Sequence, residues 1–106
     1  MTSSLLTHGD HENIADLDKF HLARRYHALL TNRVETFRAR IGENYEVGMR
    51  LVDPGSGVAF YLEELHHADP TLLAFCGVTL DGLPIEVVQD VSLVNVVLQP
   101  LPRRNR

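Results

Sequence analysis

Five short apolar runs follow one another between Tyr45 and Gln99, and each is closed by residues typical of turns. Runs of this length, bounded by Gly, Pro, Asp and Ser, are typical of β-strands. In the first run, Tyr45, Val47 and Met49 alternate with less apolar residues, which predicts a strand with one buried face. The second half of the chain is therefore predicted to form a small antiparallel sheet.

A different hydrophobic period precedes the sheet. Apolar residues recur there every three or four positions, as on a helix with one buried stripe. They are Ile14, Leu17, Leu22, Tyr26, Leu29, Leu30, Val34, Phe37 and Ile41. Asn13 offers an N-cap, and Gly42 stands where a left-handed C-cap would fall. Together the halves predict an α+β fold, with an N-terminal amphipathic helix before a five-stranded antiparallel meander that forms a strongly bent sheet or small open barrel.

Turn signals set the expected strand boundaries. Residues 53–57 predict the first hairpin loop, and residues 66–70 interrupt the second strand. The pair Asp81-Gly82 predicts a two-residue type I′ hairpin. The facing pairs would then be Leu80 with Leu83, Val78 with Ile85 and Cys76 with Val87. A final strand is expected over residues 93–99.

The chain of 106 residues has room for one domain. We expect a mobile N-terminal segment over 1–12, a helix-plus-sheet domain over 13–99 and a Pro/Arg tail over 100–106. The lone Cys76 cannot form an intramolecular disulfide, and no apolar stretch reaches the length of a membrane span. The N-terminus lacks the pattern of a signal peptide. These features predict a cytoplasmic protein that does not enter membranes.

Charge is distributed unevenly along the chain. Residues 42–102 carry nine acids and only Arg50, so the sheet half is acidic. The other arginines lie on the helix or at the end of the chain: Arg24, Arg25, Arg33, Arg38, Arg40, Arg103, Arg104 and Arg106. Phosphate binding depends on clustered Lys and Arg. A nucleic acid would therefore have to contact the helix or the tail, because the acidic sheet half would repel its phosphates.

The order and length of these elements resemble the Sm-like fold of ring-forming RNA-binding proteins. Three segments, VGMRLV at 47–52, AFCG at 74–77 and VSLVN at 91–95, also resemble a family of small uncharacterised bacterial proteins. The resemblance to the bacterial family implies a domain without a transferable activity. The resemblance to the Sm-like fold implies RNA-binding loops at 66–70 and 89–92. The candidate loop site in these two loops comprises His66, His67, Asp69, Gln89 and Asp90.

The loop site departs from the Sm-like pattern. It lacks the Asp-plus-Asn pairing of the family's first loop and the Arg-Gly or Lys-His element of its second. Asp69 and Asp90 stand there instead, and carboxylates facing phosphate would repel RNA. This disagreement lowers the expectation of RNA binding while leaving the architecture open.

Metal binding and catalysis are also disfavoured by the residue pattern. His66 and His67 are adjacent and would point to opposite faces of a strand, and no helical His pair or Cys cluster completes a site. Ser56 and Ser92 lack a nucleophile-elbow sequence, and Cys76 is expected in a core strand. We therefore expect no metal, no cofactor and no enzymatic activity.

The final strand carries apolar side chains on both faces: Leu93, Val94, Val96, Val97 and Leu98. One helix can cover only one face, so these residues are predicted to form a homo-oligomer interface. The expected function is a non-enzymatic oligomeric protein-binding domain. Two alternatives remain open, an Sm-like RNA binder that uses the arginines and a small acidic inhibitor of a nucleic-acid-binding partner.

Overall fold

The computed structural model describes residues 21–52, 57 and 59–105. One helix and five strands lie in this part of the chain: α1 (Leu22–Ile41), β1 (Tyr45–Leu51), β2 (Ala59–Ala68), β3 (Leu72–Thr79), β4 (Pro84–Asp90) and β5 (Val96–Pro102). The strands form one antiparallel sheet in the order β4-β3-β2-β1-β5. The predicted α+β class is confirmed, and the sheet is open rather than closed into a barrel. The expected Asn13 cap, the segment 1–12 and the turn residues 53–56 lie outside the described residues.

The fifth strand returns across the sheet and pairs with β1 instead of β4. A flat sheet would separate the two edge strands by four spacings, about 19 Å. The connection is short and includes a 3-10 turn at Val91–Leu93. Three residues in a 3-10 turn and three extended steps span only about 16 Å. The sheet must therefore bend strongly, as the sequence predicts.

The core lies between α1 and the concave face of the sheet. Its buried members are Val34, Val47, Met49, Phe60, Leu62, Leu73 and Phe75. Leu30, Phe37 and Ile41 of the helix pack against them. Tyr26 and Leu29, which the sequence places in the buried stripe, are 43% and 59% exposed. That part of the prediction is wrong because the helix rests on the sheet along the neighbouring row of side chains. The helix ends at Ile41 and Gly42 is its C-cap as expected, but φ of 80° and ψ of −176° place Gly42 outside the left-handed helical conformation that the sequence predicts.

The second strand is longer than the sequence indicates. It continues through His66 and His67 to Ala68, so the predicted interruption at 66 is wrong. A β-bulge between Leu62 and Glu64 shifts the register and lets the bent strand continue. Opposite this bulge, a Cβ on Gly77 would lie 1.8 Å from the carbonyl oxygen of Tyr61. The two strands approach each other too closely there for any side chain at position 77.

The hairpin between β3 and β4 has a three-residue loop instead of the predicted two-residue turn. The amide of Gly82 donates to the Thr79 carbonyl at 2.9 Å, and the Thr79 amide donates to the Leu83 carbonyl at 2.8 Å. Of the residues described, only glycines have positive φ, and Gly82 has 90°. The added loop residue shifts the register, so Val87 faces Phe75 rather than Cys76. This register buries Phe75, the larger side chain, in the core.

The last strand begins later and ends later than predicted. Pro100 and Pro102, expected in a tail, belong to β5, and Leu101 between them is only 6% exposed. Prolines are tolerated in this position because β5 is an edge strand. Leu101 packs over Gly48 of β1, where a Cβ would lie 2.5 Å from its side chain.

Candidate functional site

The two adjacent histidines of the predicted loop site lie on opposite faces of β2, as expected from strand geometry. His66 is on the outer face, where its Nε2 lies 2.8 Å from Oε1 of Glu64. His67 faces the helix, and its ring centroid lies 4.8 Å from that of His27. The two imidazoles therefore belong to separate surroundings and do not converge.

Asp69 fastens the start of the described helix to the end of β2. Its Oδ2 lies 3.2 Å from Nδ1 of His21 and accepts a hydrogen bond from Nη2 of Arg24, also at 3.2 Å. The hydrogen bond from His21 holds the pKa of Asp69 below its usual value, and the charge of Arg24 acts in the same direction. The adjacent Pro70 carbonyl accepts from the Ala23 amide at 2.9 Å. Asp69 thus anchors α1, a role that the sequence did not reveal.

His27 adds a second bond between helix and sheet. Its Nε2–H donates to the carbonyl oxygen of Leu65 at 2.7 Å. Because the acceptor is a carbonyl, the bond requires a proton on Nε2. The helical period alone marks position 27 as near the buried stripe, but the strand residue it meets lies 38 positions away. Single-sequence patterns contain no signal for such a pair.

The second predicted loop closes β4 and begins the 3-10 turn. Asp90 accepts hydrogen bonds from the backbone amide and the hydroxyl of Ser92, at 3.0 and 2.6 Å. These bonds, with one from Thr71, lower the pKa of Asp90. The neighbouring Gln89 has a buried Oε1 without a hydrogen-bond partner among the described residues. The five residues of the candidate loop site therefore have separate local contacts and do not form one site.

Metal-ligating and nucleophilic groups are dispersed in the described structure. No group of three or more His, Cys, Asp or Glu residues is placed to hold a metal ion in this part of the chain. Cys76 is half-buried on the outer face of β3, and its thiol donates to Oε2 of Glu86 at 3.7 Å. Burial and the nearby carboxylate raise the pKa of the thiol. A raised pKa keeps the sulfur protonated and weakly nucleophilic.

The predicted interface residues do not share one surface. Val94, Val96 and Leu98 pack against the core cluster on the concave side. Leu93 is 66% exposed in the 3-10 turn, and Val97 lies on the opposite face of β5. The helix side of the molecule thus already covers one face of the last strand.

A charged cluster on the outer face holds the end of the chain, and we call Arg104, Glu46 and Glu63 the arginine clasp. Nη2 of Arg104 donates to Oε1 of Glu46 at 2.6 Å, and Nη1 donates to Oε2 of Glu63 at 3.0 Å. The guanidinium lies 4.1 Å from the ring centroid of Tyr61, a cation–π contact. The hydrogen bonds to Glu46 are the main cause that raises the pKa of Arg104. The predicted Pro/Arg tail is therefore bound to β1 and β2 at this point.

A groove of about 770 Å³ lies between the end of α1 and residues 103–104. Its walls include Arg38, Glu46 and Arg104. Arg38 is paired with Glu35, and Arg104 is held in the arginine clasp. The charges along the groove thus compensate one another, and we assign it no ligand.

Exposed apolar side chains mark another part of the surface. Leu80 and Leu83, at the β3–β4 hairpin, are each 61% exposed, and Val88 on the outer face of β4 is 57% exposed. The same outer face carries Leu72 of β3, which is 44% exposed. The sheet also has two unpaired edges, since no described strand lies beyond β4 or beyond β5.

Comparisons with protein-family models, curated proteins and solved structures gave no match to this chain. The two resemblances drawn from the sequence therefore remain expectations. The described part of the chain contains no helix that is both long and apolar enough to cross a membrane. What the fold and surface define is an α+β domain with an open, strongly bent sheet.

Proposed function

We propose that this protein is a non-enzymatic, oligomeric protein-binding domain. The observation that carries the proposal is the open sheet, in which β4 and β5 both end the hydrogen-bonded ladder of the described strands. An unpaired edge presents a row of N–H and C=O groups that favours pairing with another chain. Pairing of this kind supplies assembly without any catalytic group.

Exposed apolar side chains support the protein-binding part of the proposal. Tyr26 and Leu29 lie three residues apart on the helix and are neighbours on its surface. Leu80 and Leu83 are exposed at the β3–β4 hairpin. Contiguous apolar surface is typical of protein interaction sites. The partner that best fits is a protein with complementary apolar side chains.

The charged groups support a structural role better than a catalytic one. Asp69 anchors the helix, Asp90 caps the 3-10 turn, and Arg104 closes the clasp. Two helix arginines that an RNA would need are similarly engaged, since Arg24 pairs with Asp69 and Arg38 with Glu35. We therefore place RNA binding below protein binding. A lone cysteine fits the reducing cytoplasm, which is the expected location.

Sedimentation velocity on a dilution series tests the proposal. A domain that assembles reversibly should show a sedimentation coefficient that rises with concentration and falls on dilution. The exposed hairpin provides a second arm, in which Leu80→Ser with Leu83→Ser should weaken partner capture without changing the fold. A chain that sediments as a monomer at every concentration would contradict the oligomeric function.

A further inference from the structure

On the edge of β4 that faces away from β3, the N–H and C=O groups of alternate residues point outward, without a strand beside them in the described part of the chain. The bonds Thr79 N to Leu83 O and Val91 N to Thr71 O fix which residues of this ladder face β3. Hydrogen-bonded positions alternate along an antiparallel pair. Positions 83, 85, 87 and 89 therefore bond to β3, and positions 84, 86, 88 and 90 point outward. Position 84 is proline, so the outward N–H groups without a partner among the described residues are those of Glu86, Val88 and Asp90.

The outer edge of β5 is much less available. The bonds Val52 N to Asn95 O and Arg103 N to Asn44 O show that odd-numbered residues of β5 face β1. The outward positions are then Val96, Leu98, Pro100 and Pro102. The two prolines have no N–H, so half of this edge offers no donor. Proline on an edge strand is a common protection against further strand pairing.

From this asymmetry we infer that two copies of the chain associate through their β4 strands, antiparallel and related by a twofold axis. The inference rests on the proposed oligomeric function and specifies its first contact. A twofold pairing of identical edges aligns outward-facing groups with one another and keeps both helices on the same side. The result is one continuous ten-stranded sheet built from two five-stranded sheets.

Charge disfavours two of the registers that this pairing could take. With Val88 on the axis, Glu86 would face the partner's Asp90, and with Glu86 on the axis it would face the partner's Glu86. Like charges directly opposite each other are destabilising. With Val87 on the axis, Glu86 instead faces the partner's Val88, and both outward pairs exchange two hydrogen bonds.

Packing favours the same register. Val87 is partly buried and packs against the core cluster. With Val87 on the twofold axis, its side chain would contact the partner's Val87 at the edge of the core. On the other face, the half-exposed Val88 is covered by the partner's Glu86 side chain. The pairing therefore buries apolar surface on both faces without bringing carboxylates together.

A site-directed disulfide provides the test. Val87 and the partner's Val87 would form a non-hydrogen-bonded pair, whose Cα separation of about 4.5 Å suits a disulfide. In a Cys76→Ser background, Val87→Cys should give a covalent dimer on mild oxidation. Ile85→Cys in the same background is the matched control and should stay uncrosslinked, because position 85 faces the partner's position 89.

Proline substitution provides a second, independent arm. Val88→Pro removes one outward N–H without touching the ladder to β3, so the folded variant should be monomeric, whereas Val88→Thr should remain dimeric. Val96→Pro, at the outward edge of β5, should also remain dimeric. Oligomers that survive Val88→Pro, or the absence of the Val87→Cys crosslink, would overturn this interface while leaving the proposed assembly function standing. A wild-type monomer at all concentrations would overturn both.

Discussion

Glycine residues show most directly how single positions control this fold. Gly82 lies at φ of 90°, where an added Cβ would meet nothing within 4 Å. Gly77 has ordinary backbone angles, but its Cβ would collide with the Tyr61 carbonyl. Position 82 requires glycine because of its positive φ, whereas position 77 requires glycine because a side chain would clash with the neighbouring strand. Substitutions at the two positions therefore separate backbone strain from steric clash.

Replacing Gly82 by Val should destabilise the protein by about 1 kcal/mol or more, because a β-branched residue resists positive φ. Urea unfolding followed by circular dichroism measures the change. Gly82→Asn is the control, since Asn tolerates this conformation better. An unchanged unfolding midpoint for the Val variant would contradict the positive φ at Gly82.

Replacing Gly77 by Ala should cost more, about 2 kcal/mol or above, because the clash is with backbone and cannot be relieved by a side-chain rotation. The same unfolding experiment applies, with Ala74→Gly in the same strand as a comparison that removes a methyl without a clash. If Gly77→Ala were as stable as the unmodified protein, the close approach of β3 to β2 at the bulge would be wrong.

The sequence predicts much at this scale but not the hairpin loop. Asp-Gly suits a two-residue turn as well as the end of a three-residue loop. Only the burial of Phe75 decides between them, and that depends on the neighbouring strand. Likewise, the roles of Asp69 and Arg104 depend on partners about 40 to 60 residues away, which local patterns do not report.

At the scale of elements, polar contacts hold both α1 and the residues after β5 against the sheet. Asp69 and Pro70 receive the first described turn of the helix. The arginine clasp holds the residues after β5 against β1 and β2. The hydrophobic period of the sequence predicts that the helix and the strands exist. It does not predict these attachments, because they depend on tertiary contacts.

The Asp69 attachment should depend on pH. Its pKa lies below the unfolded value of 3.8, so the carboxylate stabilises the fold above that value and loses its contribution as pH falls below it. Asp69→Asn should therefore destabilise the protein near neutral pH and have a shrinking effect as pH falls below about 4. Thermal unfolding of both proteins across this range checks the sign. An effect that grows on acidification would contradict the assigned contacts.

The arginine clasp should depend on guanidinium geometry as well as charge. Arg104→Lys keeps the charge but loses the forked contact with Glu46 and the reach to Glu63, for an expected loss of about 1 kcal/mol. Arg103→Lys is the control, because Arg103 is exposed and bonds a single carbonyl, that of Glu43, through its side chain. Equal unfolding free energies for the unmodified protein and Arg104→Lys would show that the clasp does not stabilise the fold.

At the scale of the whole molecule, the sheet of the described strands has two unpaired edges, those of β4 and β5. The sequence predicts the number of strands and a strong bend, and it correctly suggests that one helix leaves part of the sheet uncovered. It assigns that uncovered region to the last strand, whereas β5 packs Val96 and Leu98 against the core and carries prolines on its outer edge. Strand order is a tertiary property, so the exposed β4 edge could be found only from the structure.

Amide hydrogen exchange tests the proposed pairing of β4 strands directly. This pairing should give slow exchange at Glu86 and Val88 in concentrated solution and fast exchange after dilution, because it would bond their outward N–H groups to a second copy. The Val96 amide on the outer edge of β5 should exchange quickly at both concentrations. If exchange at Glu86 and Val88 were equally fast, or equally slow, at every concentration, the reversible pairing of β4 strands would be contradicted.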